Sequence, residues 1–183
     1  MRPVFTIHGG EYIFANEFGK RYPELDLWIP LDDDGIDFLI TSKENRKTLS
    51  IQVKFSRDFN LLQINPNIRT NLKSLGWFHL NRAKLQNSKA DFWVLLTYEG
   101  VSKTTDFFFI KPKTLLQRFS KLNRNGTYID SYLWVMAHTN KAFETRGLNS
   151  ALQSTLISGN YHNRNRDFTI FLDRWDVIKK RFK

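Results

Sequence analysis

Four polar residues stand where they could do chemistry together. Asp37 alternates with Ile36 and Phe38, so it points away from the face those two share. Gln52 and Lys54 lie opposite Leu49, Ile51, Val53 and Phe55 on a period-two segment. If the two segments pair as a hairpin, a carboxylate, an amide and an ammonium converge on one side of the sheet. Carboxylate and amide oxygens are hard donors suited to Mg²⁺, which keeps several waters and takes one or two carboxylates. An ammonium two residues along the strand would lie near a metal-bound water and a phosphate ester. There it would orient the water or offset charge developing on phosphorus. The same spacing also fits a half-exposed hairpin whose polar face meets solvent. Glu11 is the fourth residue. It shares a helical stripe with Ile7, Phe14, Ala15, Phe18 and Tyr22. An acid on a buried stripe that packs towards Asp37 is costly unless it meets a cation or a metal.

The elements that must position these residues are legible as alternating patterns. Residues 7–21 read as a helix, and residues 25–31, 36–40 and 49–55 as three strands. Asp32, Asp33, Asp34 and Gly35 form an acidic turn between the first two strands, and residues 42–47 a polar loop between the last two. The three acids could supply a further ligand, Asp34 being best placed, or form a solvated turn. Residues 56–71 are polar and aperiodic, a long connection of the functional or mobile kind. Residues 72–86 read as a helix despite Gly76, residues 91–98 as a central strand covered on both faces, and residues 106–110 as a short strand. Pro112 opens a helix over 112–122 with Leu115, Leu116, Phe119 and Leu122 inward. Beyond it, residues 132–137 read as a strand, 148–157 as a helix and 168–172 as a strand. A short basic helix from Asp173 buries Trp175, Ile178 and Phe182. The succession argues for an α/β protein: a mixed sheet flanked by helices, with residues 1–125 as the core and 126–183 as an extension packed on it.

In order along the chain come Gly-Gly-Glu-Tyr (9–12), Asp-Asp-Gly-Ile-Asp-Phe (33–38) and Ile-Gln-Val-Lys (51–54). This arrangement resembles the PD-(D/E)XK nuclease superfamily, the restriction-endonuclease-like fold. It is closest to the Gln-x-Lys branch, as in Mrr-type endonucleases, with a helical glutamate as in archaeal Holliday-junction resolvases. By motif the resemblance covers residues 8–56; to about residue 122 only the order of elements agrees. It implies Asp37 as metal-binding acid, Gln52 and the Val53 carbonyl as further ligands, Lys54 as catalytic lysine and Glu11 as a helical acid assisting the metal. Ile36 stands where the family has proline. Gln52 carries no charge, so the negative charge of such a site comes from Asp37 and Glu11. The resemblance further implies Mg²⁺, with Mn²⁺ as a substitute, DNA as partner, and a homodimer where two strands are cut.

Composition agrees with a polyanionic partner. The 183 residues hold 28 Lys and Arg against 18 Asp and Glu, a net charge of +10. Arg57 and Arg69 in the long connection are candidate phosphate contacts. So are the later Arg118, Lys121, Arg124, Arg164, Arg166, Lys179 and Lys180. Asn65, Asn67 and Asn71 could read base edges. The absence of Cys excludes disulfides, iron–sulfur clusters and thiolate zinc sites. No apolar run approaches the roughly 20 residues of a membrane span, and the first residues lack a secretory pattern, so a cytoplasmic protein is expected. His8, His79, His138 and His162 show no metal-ligand spacing, and there is no Gly-rich phosphate loop. Two other function classes stay open: a non-catalytic nucleic-acid-binding module on the same fold, and a basic protein of a defence or toxin system bound to an acidic partner.

Overall fold

The meander expected between residues 25 and 55 forms one side of a five-stranded mixed sheet. The computed structural model describes residues 8–31, 34–44, 46–57, 65–99 and 104–183, with only the backbone of Arg57. Helix α1 (Gly9–Arg21) leads into β1 (Leu25–Trp28), β2 (Phe38–Ser42) and β3 (Thr48–Arg57). These pair antiparallel, Leu27 with Ile40 and Phe38 with Ile51. After α2 (Pro66–Arg69) the chain enters β4 (Leu72–Asn81) and α3 (Arg82–Gln86). It returns as β5 (Phe92–Glu99), parallel to β3, with Gln52 beside Trp93 and Lys54 beside Leu95. β6 (Thr104–Ile110) completes the sheet in the order β1-β2-β3-β5-β6. Helix α4 (Pro112–Lys121), β7 (Tyr128–Met136), β8 (Ala142–Glu144), α5 (Ser150–Ile157), a 3₁₀ turn (Thr169–Phe171) and α6 (Asp176–Phe182) follow. β4, β7 and β8 make a second, antiparallel sheet. The chain is therefore α/β, and none of its described helices is long and apolar enough to cross a membrane.

Each face of the large sheet has its own core. Phe38, Ile40, Ile51, Val53, Val94, Phe107 and Phe109 face α1, where Phe14, Phe18 and Tyr22 meet them. Trp175 closes this side, stacked on Phe14 at 5.6 Å and edge-on to Phe107 and Phe109 at 4.9 Å. Its carbonyl accepts the Tyr22 hydroxyl at 2.6 Å. On the other face Trp93, Leu95, Phe108 and Ile110 pack against Phe78, Leu80, Ile129 and Val135 of the second sheet and Leu115 and Phe119 of α4. A third cluster, Leu75, Trp134, Met136, Phe143 and Leu156, lies beyond the second sheet under α5. Residues after position 125 thus share both main cores with those before it.

Several segments depart from the sequence expectation. The second strand starts at Phe38 rather than Ile36, and these two residues pack into opposite cores instead of sharing a face. Residues 72–81 are a strand, and only Arg82–Gln86 are helical. β4 carries apolar residues on both faces, Phe78 and Leu80 towards the large sheet and Leu75 towards α5. That blurs the alternation by which a strand is read. Gly76 is the sign of the strand: a Cβ there would lie 2.8 Å from Thr97 Cγ2 of β5, so close passage of the two sheets requires glycine. Residues 168–172 form a 3₁₀ turn with isolated bridges, Phe108 to Leu172 and Phe143 to Asp167. Phe168 and Phe171, three apart, both enter the core and stack edge-on at 5.6 Å, which a 3₁₀ turn allows and a strand does not. The last helix begins at Asp176, with Trp175 as its cap. β8, at three residues, is too short to show a period.

α1 is seated on β3 by its second residue. A Cβ on Gly10 would lie 2.2 Å from Phe55 Cβ, whereas Gly9 has open space around it. Gly10→Ala is expected to destabilise the protein by about 1–3 kcal/mol or more, because Phe55 Cβ is fixed to the β3 backbone. Gly9→Ala should be neutral or slightly stabilising. Urea unfolding of the two variants checks the opposite signs.

Candidate functional site

Asp37 does not belong to β2 but ends its ladder. Its backbone N–H donates to the Ile51 carbonyl at 2.9 Å, and the strand register stops at Phe38–Ile51. Along β3 the backbone groups of Ile51 and Val53 turn the same way, towards β2. Val53 lies past the last pair, so its N–H meets no strand. The Asp37 side chain takes that place: Oδ2 accepts the Val53 N–H at 2.6 Å. This is a charge-assisted bond of the stronger kind. The Val53 carbonyl is directed into the same opening by the alternation of the ladder.

Gln52 lies on β3 between Ile51, whose carbonyl accepts the Asp37 N–H, and Val53, whose N–H the Asp37 carboxylate accepts. Gln52 is 6% exposed. The turn before Asp37 folds over it: Gly35, at φ +79°, brings its Cα to where a Cβ would lie 3.9 Å from Gln52 Nε2. Lys54 follows two residues along the same face of β3. It is half-buried, with Nζ 5.6 Å from the Trp93 ring centroid. Trp93 is held by its indole N–H, which donates to Ser88 Oγ at 2.8 Å. The row ends at Ser56, whose hydroxyl accepts the Trp77 backbone N–H at 2.8 Å where β4 passes over β3.

The structure bonds Asp37 to Val53, which lies between Gln52 and Lys54 on β3, and places α1, which carries Glu11, over the opposite face from Gln52 and Lys54. α1 covers the face of Ile51 and Val53, whereas Gln52 and Lys54 project from the other. Glu11 is half-buried rather than sealed in the core, and its carboxylate accepts the His8 backbone N–H at 3.1 Å. That bond caps the first turn of α1 and accounts for an acid on this stripe. Asp34 pairs with Lys89, both exposed; Asp32 and Asp33 lie outside the described residues. Among the described residues no group of three His, Asp or Glu side chains is placed to hold a metal ion. The oxygen donors carried by this stretch are the Asp37 carboxylate, the Gln52 amide oxygen and the Val53 carbonyl. All are hard, and they fit a Mg²⁺ that keeps part of its water.

No family model matches this chain, and no curated protein or solved structure matches it.

The basic residues divide into those that face solvent and those that hold the fold. Glu144, fully buried, pairs with Arg124 at 2.7 Å and Arg166 at 2.8 Å. Both guanidiniums also donate to the Arg146 carbonyl. Arg124 and Arg166 thus hold β8 to its surroundings and are not surface phosphate contacts. Burial pulls Arg124 below its ordinary value, against the opposing attraction of Glu144. Arg118 donates to the carbonyls of Arg164 and Asp167 and lies 5.4 Å from the Phe171 ring. Burial lowers it too. Arg69, Lys121, Arg164, Lys179 and Lys180 are exposed, Lys180 pairing with Asp176 at 2.7 Å. The side chain of Arg57 lies outside the description.

Sequence spacing missed one further pair. His79 Nδ1 lies 2.7 Å from Asp130 across the β4–β7 ladder, where the two residues are direct partners. Its hydrogen bond holds the Asp130 carboxyl below the usual carboxylate range. Nothing in residues 51 positions apart announces this; only the register does.

Asp37 carries two tasks that substitution can separate. Asp37→Asn keeps an oxygen for the Val53 N–H and should fold as the parent does. Asp37→Ala leaves that N–H unpaired and should cost about 1–3 kcal/mol in denaturant unfolding.

Proposed function

We propose that this protein is a metal-dependent nuclease that hydrolyses phosphodiester bonds of DNA. The observation that carries the reading is Asp37, bonded at 2.6 Å to the N–H of Val53, the residue between Gln52 and Lys54 on β3. It is supported by the first elements of the order that the PD-(D/E)XK resemblance implies, a helix and a three-stranded meander, whereas residues 72–81, expected as helix, are strand β4 of the second sheet. The net charge of +10 suits a polyanionic substrate.

In this reading Asp37, the Gln52 amide oxygen and the Val53 carbonyl would hold Mg²⁺ or Mn²⁺. When bound, the ion supplies Lewis-acid stabilisation of the phosphate and a water acidic enough to attack at neutral pH. Asp37 contributes the negative charge of the donor set, and its bond to Val53 fixes its orientation. Lys54 orients the attacking water and offsets charge developing on the non-bridging phosphate oxygens. Trp93 beneath Lys54 holds the ammonium in place without withdrawing its charge into an ion pair. Attack in line breaks the phosphorus–oxygen bond to the leaving sugar oxygen, which takes up a proton.

A second reading, a non-catalytic nucleic-acid-binding protein on the same fold, is favoured by one observation: Asp37 is the single acid in the donor set, Gln52 being neutral. A plasmid-nicking assay in Mg²⁺, Mn²⁺ and EDTA separates the two. The nuclease reading expects metal-dependent nicking that Lys54→Ala reduces by about 10²-fold or more, with the folded state unchanged by circular dichroism. Salt-sensitive DNA binding without nicking in either metal would select the binding module.

A further inference from the structure

At the end of the large sheet where β3 and β5 begin and β6 ends, the fold leaves a cleft of about 740 Å³ that is open to solvent. Its apolar wall includes Leu85, Phe92, Leu116 and Val177. Four cations line it: Lys111 and Lys113 at the start of α4, and Lys180 and Arg181 on α6. The single acid in the lining, Asp91, is already engaged, its carboxylate accepting the Ser50 N–H at 2.9 Å and hydroxyl at 3.0 Å. Arg181 is fixed by its Nε, which donates to the Thr48 carbonyl at 2.9 Å. Lys180 is shared with Asp176. Among the described residues neither Lys111 nor Lys113 has an ion-pair partner. Like charges drawn from two helices around one cleft repel each other, and an anion relieves that repulsion.

We infer that this cleft is a binding site for a nucleoside triphosphate, separate from the Asp37 site. The volume falls within the range of roughly 300–1,000 Å³ typical of small-molecule sites. Four cations exceed what one phosphate group needs, and the apolar wall suits a flat base. The site is remote from the proposed chemistry. Leu49, in its lining, precedes Lys54 by five residues of β3, about 16 Å along a strand.

Isothermal titration calorimetry of the full chain tests the assignment with ATP, adenosine and inorganic triphosphate as probes. One equivalent of ATP should bind, with adenosine and triphosphate each at least about tenfold weaker, since each meets half of the lining. The double variant K111E/K113E should weaken ATP at least tenfold. It should not unfold, because acids in the first turn of α4 suit the helix dipole; thermal melting verifies this. Lys54→Ala should bind ATP as the parent does. No binding of ATP overturns the inference. So does binding that K111E/K113E leaves unchanged, binding that Lys54→Ala abolishes, or adenosine or triphosphate binding as tightly as ATP.

Discussion

The hydrogen bond from the Val53 N–H to Asp37 Oδ2, at 2.6 Å, is the constraint on which the rest of the site depends. A strand that loses its neighbour leaves backbone donors unpaired, and burying one without a partner costs about as much as a hydrogen bond is worth. Here β2 stops one residue early and a side chain replaces the missing strand. The carboxylate is thereby fixed by the backbone of β3 rather than by its own rotamer preferences. It is held against β3 at the residue between Gln52 and Lys54.

The surrounding packing keeps β3 still. On one face Gly10 lets α1 approach Phe55 to backbone distance, and Phe14 and Trp175 fill the space above Ile51 and Val53. On the other, Trp93 lies under Lys54 while the core beyond it continues through Leu95 and Phe108 into the second sheet. The polar row Gln52–Lys54–Ser56 runs between these apolar masses. It is tolerated there because Ser56 meets the Trp77 N–H and Lys54 lies over a ring rather than against aliphatic carbon.

The β2–β3 hairpin was legible from its apolar runs, and Gln52 and Lys54 from the alternation of β3. The side of Asp37 was not: Ile36 and Phe38, expected to share a face, pack into opposite cores. Glu11 was legible as an anomaly but not in its resolution: a capping bond to His8 depends on where the helix starts. β4 was hidden because both its faces are apolar, which mimics a helical stripe. The Glu144 network and the His79–Asp130 pair depend on the β4–β7–β8 register, a long-range fact that no local period encodes. The cations around the cleft come from segments nearly seventy positions apart, and the packing of α6 on β3 brings them round it.

The central claim is that the opening between Asp37 and Val53 is where a divalent cation acts. Its most direct test is the ¹H–¹⁵N spectrum of the protein titrated with substoichiometric Mn²⁺. Paramagnetic broadening should fall first on the backbone amides of Asp37, Gln52, Val53 and Lys54, be reversed by excess Mg²⁺, and vanish in Asp37→Asn. Broadening centred elsewhere, or unchanged in Asp37→Asn, would contradict the account.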